Sequence, residues 1–161
     1  MAAKHYLLID AYNVIHAIGD LRKALGKSLD SARDQLAERV VSIHDAEGVH
    51  TVLILDSRSE ALTIDHPFGK KTFEFVYAPA RLSADGVIER LLTRVAESAN
   101  VTVASNDAMV RESARVNGAI AISANDLIDW ICACEQRLIQ DSERRRKLNE
   151  KKWKNGIDLD W

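Results

Sequence analysis

The stretch His5-Tyr6-Leu7-Leu8-Ile9-Asp10-Ala11-Tyr12-Asn13-Val14 decides how this chain reads. A short apolar run, bounded by polar residues and rich in Leu and Ile, predicts a buried strand. Asp10 then stands at its C-terminal edge. In open parallel α/β sheets, ligands bind at that edge. A carboxylate is costly to bury there unless it is paired or holds a metal. The rest of the chain is therefore read for other carboxylates that reach the same place.

The 161 residues suffice for one domain with a real core. Charged residues make up 29% and hydrophobic residues 47%, as in an ordinary globular protein. No run approaches the roughly 18 apolar residues of a membrane span. The N-terminus lacks the basic flank, apolar core and cleavage site of a signal peptide, so the cytoplasm is the expected compartment and no membrane partner is expected. Cys132 and Cys134, two apart on a predicted helix, point to different sides, which argues against a disulfide. Residues 137–161 carry eight Lys/Arg against five Asp/Glu, while the remainder carries 14 against 19. An acidic body with a basic tail fits either nucleic-acid engagement or a solvated helix end.

Working outward, residues 13–19 predict a short helical turn, and Gly19 and Gly26 bracket a loop with Arg22, Lys23 and Lys27. Asp30 or Ser31 caps a helix that stops near Gly48. Residues 49–56 form a second apolar run ending in Asp56. Residues 57–71 read as a long loop, and the aromatic, alternating residues 72–78 as an edge strand. Ser83 caps a helix with Asp85 in its first turn and Glu89 one turn later, the helix running to Asn100. Residues 101–105 give a fourth strand that ends in Asn106-Asp107. A helix from Ala108 to Asn117, a short strand over 119–122 and a last helix capped by Ser123 or Asn125 complete the chain. Strands separated mainly by helices predict a three-layer α/β/α domain with a mostly parallel five-stranded sheet. The domain spans residues 1–138, followed by a basic extension over 139–161 that is helical or disordered.

In a parallel sheet all these strand ends share one edge, and a helix that follows a strand starts there too. Asp10, Asp85 and Asp107 can then meet in one cleft. Clustered carboxylates repel, and hard oxygen donors favour Mg²⁺ or Mn²⁺ as the remedy. Such a site suits phosphodiester hydrolysis. Taken singly, each aspartate is as well explained as a loop or cap residue, and Asp56 most of all. Joint placement is what favours chemistry.

Asp10-Ala11-Tyr12-Asn13 resembles the Asp-Gly-Tyr-Asn signature of YacP-like NYN domains, a branch of the PIN-like nuclease superfamily. Ser83-Ala84-Asp85-Gly86-Val87-Ile88-Glu89, Ala104-Ser105-Asn106-Asp107, Leu55-Asp56 and Ser31-Ala32-Arg33-Asp34 resemble further blocks of that family, in the same order. The resemblance covers about residues 5–135. It implies a PIN-like fold and a Mg²⁺- or Mn²⁺-dependent endoribonuclease. RNA is the implied substrate, with messenger RNA and the ribosome as implied partners. Carried over, Asp10, Asp85 and Asp107 become metal ligands, directly or through water. Asn13 orients a metal-bound water or a phosphate, and Glu89 serves as an outer-shell or second-metal carboxylate. Arg33 meets phosphate or pairs with an acid. Ala11 departs from the family's usual glycine, and Asn106 intervenes in the Ser-Asp block; neither change removes a carboxylate.

Arg22, Lys23, Lys27, Arg58, Lys70, Lys71 and Arg81 are candidate phosphate contacts. Tyr12 either stacks on a base or packs beside the strand. Trp153 and Trp161 dock on a partner or on the body. The alternative to an enzyme is a non-catalytic RNA- or ribosome-binding module on the same fold. A receiver domain is disfavoured because residues 119–131 contain no lysine, and an aspartyl phosphatase because Tyr12 stands where its second aspartate belongs.

Overall fold

The computed structural model describes residues 4–95 and 100–156. Leu7, Leu8 and Ile9 are all buried because strand β1 (Tyr6–Asp10) runs through the middle of a sheet covered on both faces. Alternate side chains of such a strand enter two different cores, so its sequence is apolar without interruption. Leu7 and Ile9 join one core and Leu8 the other. β2 (His50–Asp56) repeats this, with Leu53 and Leu55 on the first side and Val52 and Ile54 on the second.

The sheet has six strands in the order β3-β4-β2-β1-β5-β6. They are completed by β3 (Thr63–Asp65), β4 (Phe73–Ala78), β5 (Val101–Ala104) and β6 (Ile120–Ile122). All neighbours pair parallel except β3, which runs antiparallel to β4. The expectation of five strands is corrected by β3, three exposed residues inside the expected loop. It carries the chain back so that β4 can enter parallel to β2 without a crossover helix. It also takes the edge, so β4 is interior and Phe73 and Phe75 are buried.

Helices α1 (Ala11–Ala17), α2 (Gly19–Leu25), α3 (Leu29–Glu47) and α6 (Ala124–Gly156) cover the first face. Helices α4 (Ser83–Arg94) and α5 (Ala108–Val116) cover the second. The expected loop between Gly19 and Gly26 is helix α2, which buries Leu21 and Ala24. Helix α3 is capped by Ser28, whose hydroxyl accepts from the Ser31 amide at 2.9 Å, rather than by Asp30 or Ser31. It ends where expected, at Gly48 with φ 67°, a left-handed conformation that glycine adopts without strain. Helix α4 ends at Arg94, not at Asn100.

Ser123 and Asp126 cap α6 reciprocally, each amide donating to the other's side chain at 3.1 Å. The helix buries Leu127, Ile131 and Cys134, then leaves the body, and every residue from Ile139 to Lys154 is exposed. Cys132 is exposed and Cys134 buried, so they do point to different sides. Trp153 is 71% exposed and does not dock on the body. Trp161 lies outside the described residues. Among the described residues no helix is long and apolar enough to cross a membrane.

Glu47, the last residue of α3, ties that helix to α6. It accepts hydrogen bonds from the Trp130 indole and, at 3.1 Å, from the Cys134 thiol, and it pairs with Arg137 at 3.2 Å. Burial pushes its carboxyl up, but the bonds from Cys134 and Trp130 and the Arg137 charge together hold it below the usual range. Its contribution is therefore present at neutral pH and is lost as the pH falls through that lowered value. Glu47→Ala is expected to lower stability by about 1–2 kcal/mol at pH 7, since partly exposed charged hydrogen bonds are lost. Urea titrations at pH 7 and at pH 3 check this, with the difference between variant and wild type shrinking at the lower pH.

Candidate active site

Asp10 ends β1 at the point where the chain order reverses. From β1 the chain proceeds to β2 on one side, and it returns much later as β5 on the other. That reversal opens a crevice at the C-terminal edge of the sheet. Asp10 stands at the start of α1 but makes no side-chain cap bond to it. Its carboxylate turns instead toward β5, where Oδ2 accepts from the Ser105 hydroxyl at 3.1 Å. The residue is only 6% exposed.

Burial chiefly, and then the charges of Asp85, Asp56 and Asp107, push the Asp10 carboxyl up to about 6 against the downward pull of the Ser105 bond. Asp85 is likewise raised, by burial and then by Asp107 and Asp56. Asp85 and Asp107, and also Asp56, which the sequence reads as structural, thus act on the Asp10 carboxylate.

The four are not equivalent. The amide of Ala84 donates to Asp56 Oδ1 at 2.7 Å, so Asp56 caps α4 from a neighbouring strand. The cap expected of Ser83 is absent; Ser83 has φ 57°, an uncommon conformation for a residue with a Cβ. Asp56 thereby holds a strained turn directly before Asp85. Asp107 Oδ1 accepts from the Met109 and Val110 amides at 2.9 and 3.1 Å and caps α5. Its amide donates to Ser105 Oγ at 3.0 Å. Asn13 Oδ1 accepts from the Asn106 amide at 2.7 Å, and Asn106 Oδ1 from the Ala124 amide at 2.9 Å. Asn13 therefore ties the loop 105–107 to α1, and Asn106 ties it to α6. Arg111 closes the ring by donating to the Ser105 carbonyl at 3.1 Å.

Glu89 lies one turn after Asp85 in a groove of about 350 Å³ between α4 and α5, opposite Met109, Glu112 and Val116. On the other side of the crevice, Tyr12, His16, Leu29, Asp56 and Arg58 line a recess of about 560 Å³. Tyr12 is half-buried against the first core. Burial and then the neighbouring Tyr77 raise its phenol above the usual range, against the nearby Arg33 charge.

Three of the expected phosphate contacts, Arg33, Arg81 and Lys70, are committed elsewhere. Arg33 donates to Tyr77 at 2.8 Å, pairs with Asp30 and Asp34 at 3.2 and 2.9 Å, and lies 5.2 Å above the Phe75 ring. Of its two expected roles it takes the ion pair. Arg81 donates to the Glu60 carbonyl at 3.0 Å and pins the loop after β2. Arg22 and Lys23 are exposed on α2. Lys70 and Lys71 precede β4, which is parallel to β1, so they stand at the edge opposite Asp10; Lys70 pairs there with Asp45 at 2.7 Å. His16 and Arg58 were not singled out together by sequence, although His16 follows Tyr12 by one helical turn.

The donor set suits a hard divalent cation. The carboxylates are oxygen ligands, and the raised Asp10 and Asp85 carry mutual repulsion that a cation would relieve. Among the described residues no three acidic, His or Cys side chains already surround one point. The expected set of Asp10, Asp85, Asp107 and Glu89 is thus not gathered around one common point.

The model of the YacP-like NYN domain matches residues 7–160. A Bacillus subtilis (strain 168) protein described as uncharacterized protein YacP is 26% identical over 155 residues, covering 95% of this chain and 88% of the relative. A crystal structure of Rae1 (YacP) from Bacillus subtilis superposes with TM-score 0.69 at 25% identity, covering 96% of this chain and 87% of that one. A mutant of the same protein gives TM-score 0.72 at 24% identity over 91% and 84%, a likeness of fold.

Two outcomes follow from the carboxylates. Because the Asp10 carboxyl is raised to about 6, its ionisation destabilises the fold above that pH, and the cost fades as the pH falls toward the unfolded value. Asp10→Asn in chelator should therefore raise stability at pH 7.5 by up to about 3 kcal/mol, with the gain gone below about pH 4; calorimetry across pH reads it. Asp56→Ala should cost about 1–2 kcal/mol by uncapping α4, whereas Asp56→Asn, which can still accept from Ala84, should cost less than half of that in the same scans.

Proposed function

The chain belongs to the YacP-like NYN domain family, and on that premise we propose that it is a metal-dependent endoribonuclease with its centre at Asp10 and Asp85. Family membership gives it an RNA-related nuclease fold. The observation that carries the proposal is Asp10 itself. It is a buried carboxylate at the reversal point of the sheet, its side chain caps no helix, and burial, followed by three further aspartates, raises its pKa. A structural aspartate would be hydrogen-bonded by several donors and held low. This one has a single side-chain donor and surplus negative charge around it.

In this reading Asp10 and Asp85 hold the cation. Asp107, with Oδ1 spent on α5, offers its second oxygen directly or through water. A bound Mg²⁺ or Mn²⁺ would supply a water nucleophile at neutral pH and charge relief for the phosphoryl oxygens. Ser105 keeps Asp10 oriented. Asn13 acts as a positioning residue that keeps the loop 105–107 closed against α1. Asp56 does the same for Asp85 through the start of α4.

RNA approaches along the recess of Tyr12, His16 and Arg58 rather than the groove between α4 and α5, because Glu89 and Glu112 make the latter repel phosphate. Arg58 meets a phosphate there and Tyr12 offers a ring edge to a base. Messenger RNA engaged by the ribosome is the substrate we infer from the family resemblance.

Thermal shift and cleavage assays test the proposal together. Mn²⁺ should raise the melting temperature of the wild type by several degrees and leave the Asp10→Asn, Asp85→Asn double variant unmoved. That variant should lose cleavage by at least about a thousandfold, the scale of removing an essential electrostatic group, while keeping RNA binding. A wild type that cuts no RNA with Mn²⁺, free or ribosome-bound, would make the protein a binding module.

A further inference from the structure

We propose that the free half of α6 is an arm that grips the phosphate backbone of base-paired RNA. Residues 139–156 contain seven Lys/Arg against three Asp/Glu, a balance of 7 − 3 = +4. Residues 1–138 carry 15 against 19, a balance of −4. The positive charge is thus set apart from an acidic body, on a helix that projects from it.

Position on the helix sharpens this. Arg144, Lys147, Lys151 and Lys154 recur at intervals of three, four and three residues, so they fall on one face. They span about 15 Å at 1.5 Å per residue. Among the described residues none of the four has an ion-pair partner, and all are exposed. Arg137, nearer the body, is instead held by Glu47.

The charge and shape of this face select the ligand. A row of cations calls for a polyanion. The row lies on the convex surface of a helix, with no aromatic ring within it; Trp153 lies toward the other side of the helix. Single strands are held in grooves by successive stacked bases. A duplex presents a fixed phosphate lattice and is recognised by shape and backbone contacts. The arm therefore fits a stem of structured RNA, held from the end of the body opposite the carboxylate crevice. The inference rests on RNA being the ligand of this protein, not on the chemistry at Asp10.

The test uses the full chain with Asp10→Asn, so that RNA stays intact, and an RNA hairpin whose stem spans about 16 base pairs. The variant Arg144→Gln, Lys147→Gln, Lys151→Gln, Lys154→Gln should bind it at least about tenfold more weakly at 0.1 M salt, and its slope of log affinity against log salt should flatten by about 3. Asp141→Asn, Glu143→Gln, Glu150→Gln should tighten binding, which guards against a variant that has merely lost its helix. On an otherwise native chain the fourfold variant should cut a short single-stranded RNA at the native rate. An unchanged salt slope for the hairpin, or an equal loss on single-stranded RNA of the same length, would overturn the arm. Loss of cleavage by the native chain with the slope change intact would sink only the nuclease reading.

Discussion

Everything at the crevice depends on one constraint: a carboxylate buried at the end of the central strand, with a serine hydroxyl as its side-chain donor. Asp10 cannot leave, because Leu7 and Ile9 on one side and Leu8 on the other fix the strand in two cores. It cannot be neutralised by the body, because its charged neighbours are aspartates. The two helix caps from Asp56 and Asp107 use part of the surrounding negative charge structurally and leave Asp10 and Asp85 raised. Burial and these like charges make the ionised form of Asp10 costly to the fold.

The polar network around Asp10 turns three distant segments into one object. Asn13 reaches the Asn106 amide, Asn106 reaches the start of α6, and Ser105 touches both Asp10 and the Asp107 amide. Each bond satisfies a backbone amide or a carboxylate that would be costly to leave unpaired. The loop after β5 is therefore held from α1, α5 and α6 together. The same economy appears at the opposite edge of the sheet, where Glu47 gathers Trp130, Cys134 and Arg137. That junction anchors α6 and frees its distal half to project.

Much of this was legible in the sequence. Continuous apolar runs ending in aspartate marked β1 and β2, and the recurrence of polar clusters after strands marked the crevice. Where the reading failed, a local signal was weak or a distant partner decided. Strand β3 is three exposed residues whose only reason to be extended is the β4 edge beside it. Helix α2 begins on one glycine and stops before another, and it buries Leu21 and Ala24. Arg81 reads as free because its partner, the Glu60 carbonyl, belongs to the main chain, and the Tyr77 bond of Arg33 reaches across 44 residues.

By itself the sequence determined the layered α/β architecture, the register of apolar faces and the identity of the carboxylates, because periodicity and strand-end chemistry are local properties. Tertiary structure alone decided how those carboxylates divide their work. Asp56 became the cap for a helix amide 28 residues later, Asn13 a tether for a loop 93 residues away, and Asp10 a carboxylate raised by burial and then by its neighbours. Such roles follow from which groups meet across the sheet edge, and burial and Coulomb energy depend on that meeting rather than on order along the chain.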